Sequence, residues 1–402
     1  MPQPSMMKHV LPRTVVAVGL VSFLNELASQ MAAPLIPILM ATVLGAGPVA
    51  LGLVEGAADA VASFLQLWSG RYSDRLGGKR KGLTLAGYGL STIARPLLGF
   101  AINWPIVLVL RSLDRAGKGV RGAPRDALVA DATPPEIRGY AYGFQRALDY
   151  SGAVGGSLVA AAVLTWSSAG IAQVIMYSAI PGALVMLLLT VFLKDTAKAS
   201  DAPRNKSMPP LRWGGLSLPV RRFLQVLALF TLASASETFI LLRGHELKMS
   251  PIQLLLMWAL VCFIQSIMSL LGGKLGDKFN KATLVAISWS TFGLSFIVFA
   301  TVTSTPGLWI AVVIYSLFSG MGEGVERSLI GELSSAAQRG TTFGWFHMIT
   351  GLAAIPAGLL FGIIWQHFGA AFAFATAGTL AIGAAAILAI HLLPLLRRQT
   401  LP

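Results

Sequence analysis

The chain has 402 residues, of which 55% are hydrophobic and 12% are charged. A soluble protein carries about 25% charged residues and a disordered chain has low hydrophobicity, so the composition excludes both classes. The 31 Lys and Arg residues outnumber the 17 Asp and Glu residues and give a net charge of +14. Such an excess indicates nucleic-acid binding in a soluble domain, but in a membrane protein it marks the cytoplasmic loops.

Many apolar segments are long enough to cross a bilayer, which takes about 20 mainly apolar residues. Charge clusters and Gly, Pro or Asn breaks separate twelve of them, namely 14–40, 48–70, 82–102, 105–130, 140–165, 171–193, 220–243, 251–273, 282–302, 308–331, 341–365 and 370–396. The first segment continues through Asn25 and Glu26 and is too long for the apolar region of a signal peptide. We therefore predict an all-α membrane protein with twelve transmembrane helices, the first one retained.

The basic residues fall in every second loop. They lie at 71–81, 138, 194–222, 274–281 and 339, whereas the loops near 44–48, 102–105, 166–170, 303–308 and 366–370 contain no Lys or Arg. Only the loop with Arg243 and Lys248 breaks this alternation. Because basic loops stay in the cytoplasm, we predict a multi-pass protein of the inner or plasma membrane with both termini cytoplasmic. An interfacial belt of Trp104, Trp166, Trp309 and Trp365 is predicted at the opposite ends of the spans.

Two loop sequences occur twice. The first is Gly70-Arg71-Tyr72-Ser73-Asp74-Arg75, which is similar to Gly273-Lys274-Leu275-Gly276-Asp277-Lys278, 203 residues later. The second is Arg138-Gly139-Tyr140-Ala141-Tyr142-Gly143-Phe144, which is similar to Arg339-Gly340-Thr341-Thr342-Phe343-Gly344-Trp345, 201 residues later. Two pseudo-symmetric six-helix halves are therefore predicted, 1–193 and 220–402, joined by a cytoplasmic linker at 194–219. Repeated halves in a helical membrane protein indicate a transporter with its binding site between them.

The chain resembles the major facilitator superfamily over nearly its whole length, and its loop motif is like that of drug/proton antiporters. The family motif Gly-x-x-x-Asp-Arg-x-Gly with following basic residues is matched by Gly70, Asp74, Arg75, Gly77, Lys79 and Arg80, and in part by Gly273, Asp277 and Lys278. We expect Asp74 to begin the third helix, where the helix dipole favours a negative charge. We also expect the motif to act as a cytoplasmic gate, since a charged cluster can hold one state and release in the other.

The fourth span carries the densest charge. Arg111, Arg115 and Lys118 share one helical face, and Asp114 and Arg121 lie beside it. A charge facing lipid at the centre of a helix costs about 2.5–3.5 kcal/mol, so this face must meet water, protein or substrate. We predict that Asp114 pairs with Lys118 one turn away. The alternative is an ion network with a purely structural role.

The family places an Arg-x-x-Gln-Gly motif on this helix, and Arg115-x-x-Lys118-Gly119 is similar to it. The resemblance implies that Arg115 belongs to a central cavity and to proton coupling. Residues predicted to face substrate in this cavity are Arg111, Arg115, Lys118, Arg121, Asn25 and Glu237. Candidates for the proton carrier are the deepest carboxylates, Glu26, Asp114, Asp149 and Glu237, because such groups titrate when their distance from water and cations changes.

These features predict a secondary active transporter that exports a small organic molecule by alternating access with proton coupling. The alternative is proton-coupled uptake or export of an organic anion. A membrane-embedded enzyme is disfavoured because no nucleophile, acid/base or metal constellation is present, and a sensor is disfavoured because no output domain is present. No phosphate-binding loop occurs, so ATP-driven transport is also disfavoured. We expect a monomer in the bilayer with no cofactor, metal or nucleic-acid partner.

Overall fold

The computed structural model describes residues 11–75, 81–133, 138–192, 213–234, 237–333 and 339–391. Within these ranges the chain forms helices and no β-strand. The α-helices are α1 Arg13–Ala32, α2 Ile36–Thr42, α3 Pro48–Arg75, α4 Lys81–Leu97, α5 Trp104–Ala132, α6 Arg138–Trp166, α7 Ile171–Tyr177, α8 Ala179–Phe192, α9 Leu218–Ala233, α10 Thr238–Glu246, α11 Pro251–Lys278, α12 Lys281–Thr301, α13 Thr305–Leu333, α14 Arg339–Phe368 and α15 Ala370–His391. Short 3-10 turns at Ala33–Leu35, Leu98–Phe100 and Trp213–Gly215 complete the helical elements of these ranges.

Nine stretches of the described chain are long and apolar enough to cross a membrane, and the last of them, Thr342–Ile390, covers most of both α14 and α15. The two expected spans that lie outside these stretches, 82–102 and 105–130, both carry charge. Arg95 lies in the first of them, and the cluster around Arg115 lies in the second. Helical structure nevertheless continues through both, because α4 and α5 occupy these positions.

Three expected spans are divided: the first, the seventh, and 171–193, which is interrupted at Ser178 between α7 and α8. The first is interrupted by the 3-10 turn Ala33–Leu35, where Pro34 and then Pro37 lack the N–H groups that a continuous α-helix needs. The span expected at 220–243 is divided into α9 and α10, because the backbone leaves the helical conformation at Ser234, where ψ is 77°. Discontinuous helices in transporters expose backbone and side-chain polar groups at mid-membrane.

The internal repeat is visible in the helix bounds. Helices α3 and α11 each have 28 residues, and α11 starts 203 positions after α3. Helices α5 and α13 each have 29 residues, and their starts are 201 positions apart. Packing follows the same scheme, because α5 packs on α3 and α4 while α13 packs on α11 and α12.

We call α1–α8 the first set of helices and α9–α15 the second set. Among the described residues their main α-helical contacts are α3 on α14, α6 on α11, and α2 on α10. The α3–α14 seam is closed by glycines, since a Cβ added to Gly52 would overlap the carbonyl oxygen of Gly358, and the reverse also holds. Small residues allow two backbones to approach in this way. The seam begins near Gly47, which faces the side chain of Gln366, at the end of the bundle that we call the Gly45 end.

Three sequence expectations need correction. Asp74 belongs to the last turn of α3 and does not begin the third helix, because α3 runs to Arg75 and α4 starts at Lys81. Helix α9 starts at Leu218, inside the expected linker. Trp365 is 4% exposed and packs against Phe361 and Phe374, so it is a core residue and not part of an interfacial belt.

The expected gate motif falls mostly outside the description. Gly77, Lys79 and Arg80 lie outside the described residues, as does most of the expected linker. For the remaining motif residues only the backbone is described, within α3 or α11: Gly70, Asp74, Arg75, Gly273, Asp277 and Lys278.

Candidate functional site

A cavity of about 770 Å³ lies between the two sets of helices. We call its lining residues from α1, α3, α5, α6 and the Ala33–Leu35 turn the N-terminal wall, and those from α9 to α14 the C-terminal wall. Both walls contribute charged or polar side chains, including Arg115 and Lys118 on one side and Glu237 on the other. Binding cavities for small molecules are usually of about 300–1,000 Å³, so this one has the size of a substrate site.

Arg111 is held by a bidentate pair at the edge of the cavity. Its Nε and Nη2 donate to the two carboxylate oxygens of Glu55, each at 3.2 Å. Both side chains are almost fully buried, with 4% and 2% exposure. The two-point geometry matches the fork of an arginine to a carboxylate, so Arg111 is already satisfied by protein.

Asp114 lies behind the wall between two arginines. Its Oδ1 is 3.0 Å from Nη2 of Arg95, and its Oδ2 is 3.5 Å from Nη1 of Arg111. Arg95 also donates to the backbone and side-chain oxygens of Asn25, both at 3.5 Å. Asp114 and Asn25 therefore belong to a buried ion network outside the cavity lining, which corrects the expected Asp114–Lys118 pair and the expected substrate contact of Asn25.

Arg121 also turns away from the cavity. It is 4% exposed, its Nη1 donates to Ser91 Oγ at 2.7 Å, and its guanidinium lies 4.6 Å from the ring centroid of Tyr88. Arg121 thus binds α4 by a hydrogen bond and a cation–π contact. The expectation that it lines the cavity is wrong in this structure, because its position on α5 faces α4.

Arg115 and Lys118 keep their head groups toward the cavity. Arg115 is 23% exposed and lies 3.9 Å from Glu55 and 3.8 Å from Asp59, at the limit of an ion pair, and its Nε makes no hydrogen bond within the described chain. Lys118 is exposed to the cavity and makes no hydrogen bond or ion pair in the described part of the chain. Arg115 and Lys118 are therefore two cations of α5 that a ligand in the cavity can reach, and Arg125 and Arg146 line the same wall.

Two carboxylates complete the N-terminal wall. Glu26 lines the cavity and has no hydrogen bond or ion pair among the described residues, and the cation with the strongest electrostatic effect on it is Lys118. Asp149 lies 3.9 Å from Nη1 of Arg125, while its Oδ1 is buried without a hydrogen bond to any described residue. Asp149 therefore lies at ion-pair distance from a cation, whereas Glu26 is influenced by Lys118 without a direct pair in the described chain.

The C-terminal wall is acidic and aromatic. Glu237, placed by the break between α9 and α10, accepts hydrogen bonds from Gln265 at 3.0 Å and from the Tyr315 hydroxyl. The indole of Trp289 donates to Glu326. Among the described lining residues, this wall contributes two carboxylates and no Lys, Arg or His.

Glu237 is predictable from the sequence, but its partners are not. Gln265 and Tyr315, with Ser319, form a polar group around this carboxylate, and Gln265 bonds to Ser319 at 2.9 Å. The sequence offers one signal for these partners, because Gln265 is a polar residue in the apolar span 251–273, and Tyr315 and Ser319 are polar residues in the apolar span 308–331. This signal is weak, since polar side chains in a helix usually form hydrogen bonds within that helix.

Comparison with known proteins identifies the family. The model of the Major Facilitator Superfamily matches residues 18–242 and 222–401. The chain belongs to the major facilitator superfamily. It is accordingly a transporter and not an enzyme, and its apolar helices make it a multi-pass membrane protein.

Two relatives of this superfamily transporter and one solved structure are informative. An uncharacterized MFS-type transporter of Methanocaldococcus jannaschii is 30% identical over 364 residues, covering 89% of each chain. The 3-(3-hydroxy-phenyl)propionate transporter of Escherichia coli is 26% identical over 335 residues, covering 78% of this chain and 74% of its own. The crystal structure of a D-xylose-proton symporter has the same fold, with a TM-score of 0.73 at 18% identity over 94% of this chain and 96% of that one.

Proposed function

We propose that this transporter carries a small organic molecule across the membrane by alternating access between two six-helix halves, 1–193 and 220–402, with twelve spans and both termini in the cytoplasm. The matching helix lengths and offsets support the two halves, and the glycine seam between α3 and α14 supports a rocking contact. The observation that carries the proposal is the cavity between the halves, because it exposes Arg115 and Lys118 where substrate would sit.

The substrate carries an anionic group in this proposal. Arg111 is occupied by Glu55, whereas Lys118 makes no hydrogen bond or ion pair in the described chain and Arg115 has only long contacts. A carboxylate or similar anion would satisfy both. The relative from Escherichia coli, which is a 3-(3-hydroxy-phenyl)propionate transporter, supports the organic-anion alternative.

Proton coupling is proposed to act through Glu26. Protonation neutralises the Glu26 carboxylate, which then no longer attracts the Lys118 ammonium group. The lysine becomes available for the substrate anion. The buried and doubly paired Asp114 is less suited, because it lies outside the cavity lining. Export is the proposed direction on the strength of the loop motif at Gly70 and Asp74, and uptake is the alternative.

Counterflow of labelled compound in proteoliposomes tests this function. Candidate compounds are first selected by thermal shift of the purified protein against drugs, sugars and organic acids, and a pH-sensitive dye inside the vesicles reports proton movement. We expect counterflow in the wild type, linked to a pH change, and at least tenfold slower counterflow in Arg115→Gln with an unchanged melting temperature. Transport that survives Arg115→Gln would overturn the assignment of the site, and a silent dye would overturn proton coupling.

A further inference from the structure

A second cavity is lined only by helices of the first set. Its volume is about 390 Å³, and it lies between α6 and α8, with α1, which packs on both, as its floor. The floor residues are Leu24, Leu27 and Met31, and Met31 is 3% exposed. None of the lining residues belongs to the lining of the central cavity. We call this second cavity the α6–α8 groove.

The second set of helices is packed differently at the equivalent place. There α14 and α15, which correspond to α6 and to α7 with α8, pack directly on each other. Among the described residues α6 packs on the short α7, and no comparable packing joins it to α8. The difference coincides with the break at Ser178, whose Oγ donates to the Ile175 carbonyl at 2.6 Å. Pro181 contributes to the break, because it has no N–H for the Tyr177 carbonyl one turn earlier, whereas α15 is continuous.

The groove is apolar and opens toward the bilayer. Its nine lining residues include no charged side chain and one hydroxyl group, that of Tyr177. The rim residues Val159, Tyr177, Ile180 and Leu184 are between 38% and 66% exposed. Helices α1, α6, α7 and α8 all contribute to stretches that are long and apolar enough to cross the membrane. The exposed rim of the groove therefore faces hydrocarbon and not water.

We infer that the α6–α8 groove binds an acyl chain of a membrane phospholipid. An empty groove would leave its walls without packing partners, and an apolar cavity does not hold water. Within the bilayer the molecules that reach the rim are lipids, and their hydrocarbon chains match the chemistry of the walls. This site lies outside the transport cavity, and its occupancy does not depend on the identity of the substrate.

The floor helix connects the groove to the transport cavity. Leu27 and Met31 of α1 face the groove, whereas Glu26 and Gln30 of the same helix line the central cavity. A chain in the groove therefore packs against the helix that carries the candidate proton carrier. It supports α1 on a side that α6 and α8 leave open.

A photoreactive phospholipid tests this site. The full chain is reconstituted in vesicles of phosphatidylethanolamine and phosphatidylglycerol that include a phosphatidylethanolamine with a diazirine in one acyl chain. Labelled positions are then mapped by mass spectrometry. Lipid of the surrounding bilayer reaches the exposed rim, but only a chain inside the groove reaches the buried Met31. We expect labels on Leu27 and Met31 as well as on the rim.

A matched pair of variants separates the groove from the general lipid-facing surface. Val159→Trp should fill the groove from the α6 side and lower the labelling of Met31 at least fivefold. The control is Leu360→Trp, because Leu360 is the equivalent of Val159, 201 residues later, and is 49% exposed on α14. It adds the same ring where α14 and α15 pack together, so the labelling of Met31 should not change. Leu184→Trp fills the groove from the opposite wall and replaces Val159→Trp if that variant does not fold.

Thermal stability supplies a second measurement, because a lipid that binds the folded state raises its stability. Added phosphatidylethanolamine should raise the melting temperature of the delipidated parent and of Leu360→Trp more than that of Val159→Trp. Labels confined to the rim, or labelling of Met31 that is unchanged in the groove-filling variants, would overturn the acyl-chain site. A cross-linked dimer with an unlabelled floor would place a second copy of the chain in the groove and would also overturn it.

Discussion

The indole Nε1 of Trp258 donates a 2.8 Å hydrogen bond to Oε1 of Gln30 and thereby joins α11 of the second set of helices to α1 of the first. Both side chains line the cavity. Because the bond joins helices of the two sets, we expect it to stabilise the state in which the Gly45 end is closed.

Removal of this bond should shift the conformational equilibrium. Trp258→Phe keeps an aromatic ring but loses the donor, and a typical hydrogen bond contributes about 0.5–1.5 kcal/mol net, which corresponds to about a 2- to 13-fold change in an equilibrium constant. The measurement is double electron–electron resonance between spin labels at Ser168 and Thr303, two exposed loop positions at the Gly45 end, in a Cys262→Ser background. The closed population should fall, and a distribution equal to that of the parent would show that the bond has no role in closure.

Gly358→Ala should open the α3–α14 seam. The added Cβ would overlap the carbonyl oxygen of Gly52, and a backbone atom cannot move aside as a flexible side chain does. The matched control is Gly383→Ala in α15, where a Cβ meets nothing within 4 Å. The same pair of spin labels should report a longer, broader distribution for the seam variant and an unchanged one for the control. Equal behaviour of the two variants would contradict a seam that requires glycine.

The Glu55–Arg111 pair should matter for stability more than for substrate. Loss of Arg111 leaves the buried Glu55 with only the 3.9 Å contact to Arg115, and breaking a buried ion pair costs about 3–5 kcal/mol. We expect Arg111→Met to lower the free energy of unfolding by this amount in mixed-micelle denaturation, and the double variant with Glu55→Met to recover most of the loss. Additive losses in the double variant would show that the two residues are not coupled.

Glu26→Gln should remove the response of the transporter to pH. If this carboxylate carries the coupling proton, the closed population at the Gly45 end changes with pH in the parent and stays constant in the variant. Asp149→Asn, a neutralisation on the same wall, should retain the response. The label pair at Ser168 and Thr303 supplies the measurement between pH 5 and 8. A pH response that persists in Glu26→Gln but disappears in Asp149→Asn would instead identify Asp149 as the proton carrier.

Much of the fold is predictable because it follows from apolar length and from the repeat. The segments expected at 48–70 and 251–273 correspond to α3 and α11, and the offset of 203 seen in their loop motifs recurs in the helix starts. The broken first and seventh spans were less predictable. Prolines mark the first break, but nothing in residues 220–243 breaks a helix as strongly as proline does.

The location of the site was predictable from the sequence, but the ion pairs and hydrogen bonds of its charged side chains were not. Charge in an apolar span already directs attention to Arg115 and Lys118. Which cation is already bound by protein depends on residues far apart in sequence: Arg111 donates a hydrogen bond to Glu55, and Arg121 donates one to Ser91. Helical spacing alone therefore could not separate Arg121, which faces α4, from Lys118, which faces the cavity.

The most direct test of alternating access compares the two ends of the bundle in one preparation and does not depend on knowing the substrate. Spin labels at Ser168 and Thr303 report the Gly45 end, and labels at Gly82 and Phe279, both exposed, report the opposite end. Double electron–electron resonance should give two populations for each pair, and a change of pH should shift them in opposite directions, so that one end closes as the other opens. Single distances that stay constant at both ends across pH 5–8, or distances that lengthen together, would contradict transport by alternating access.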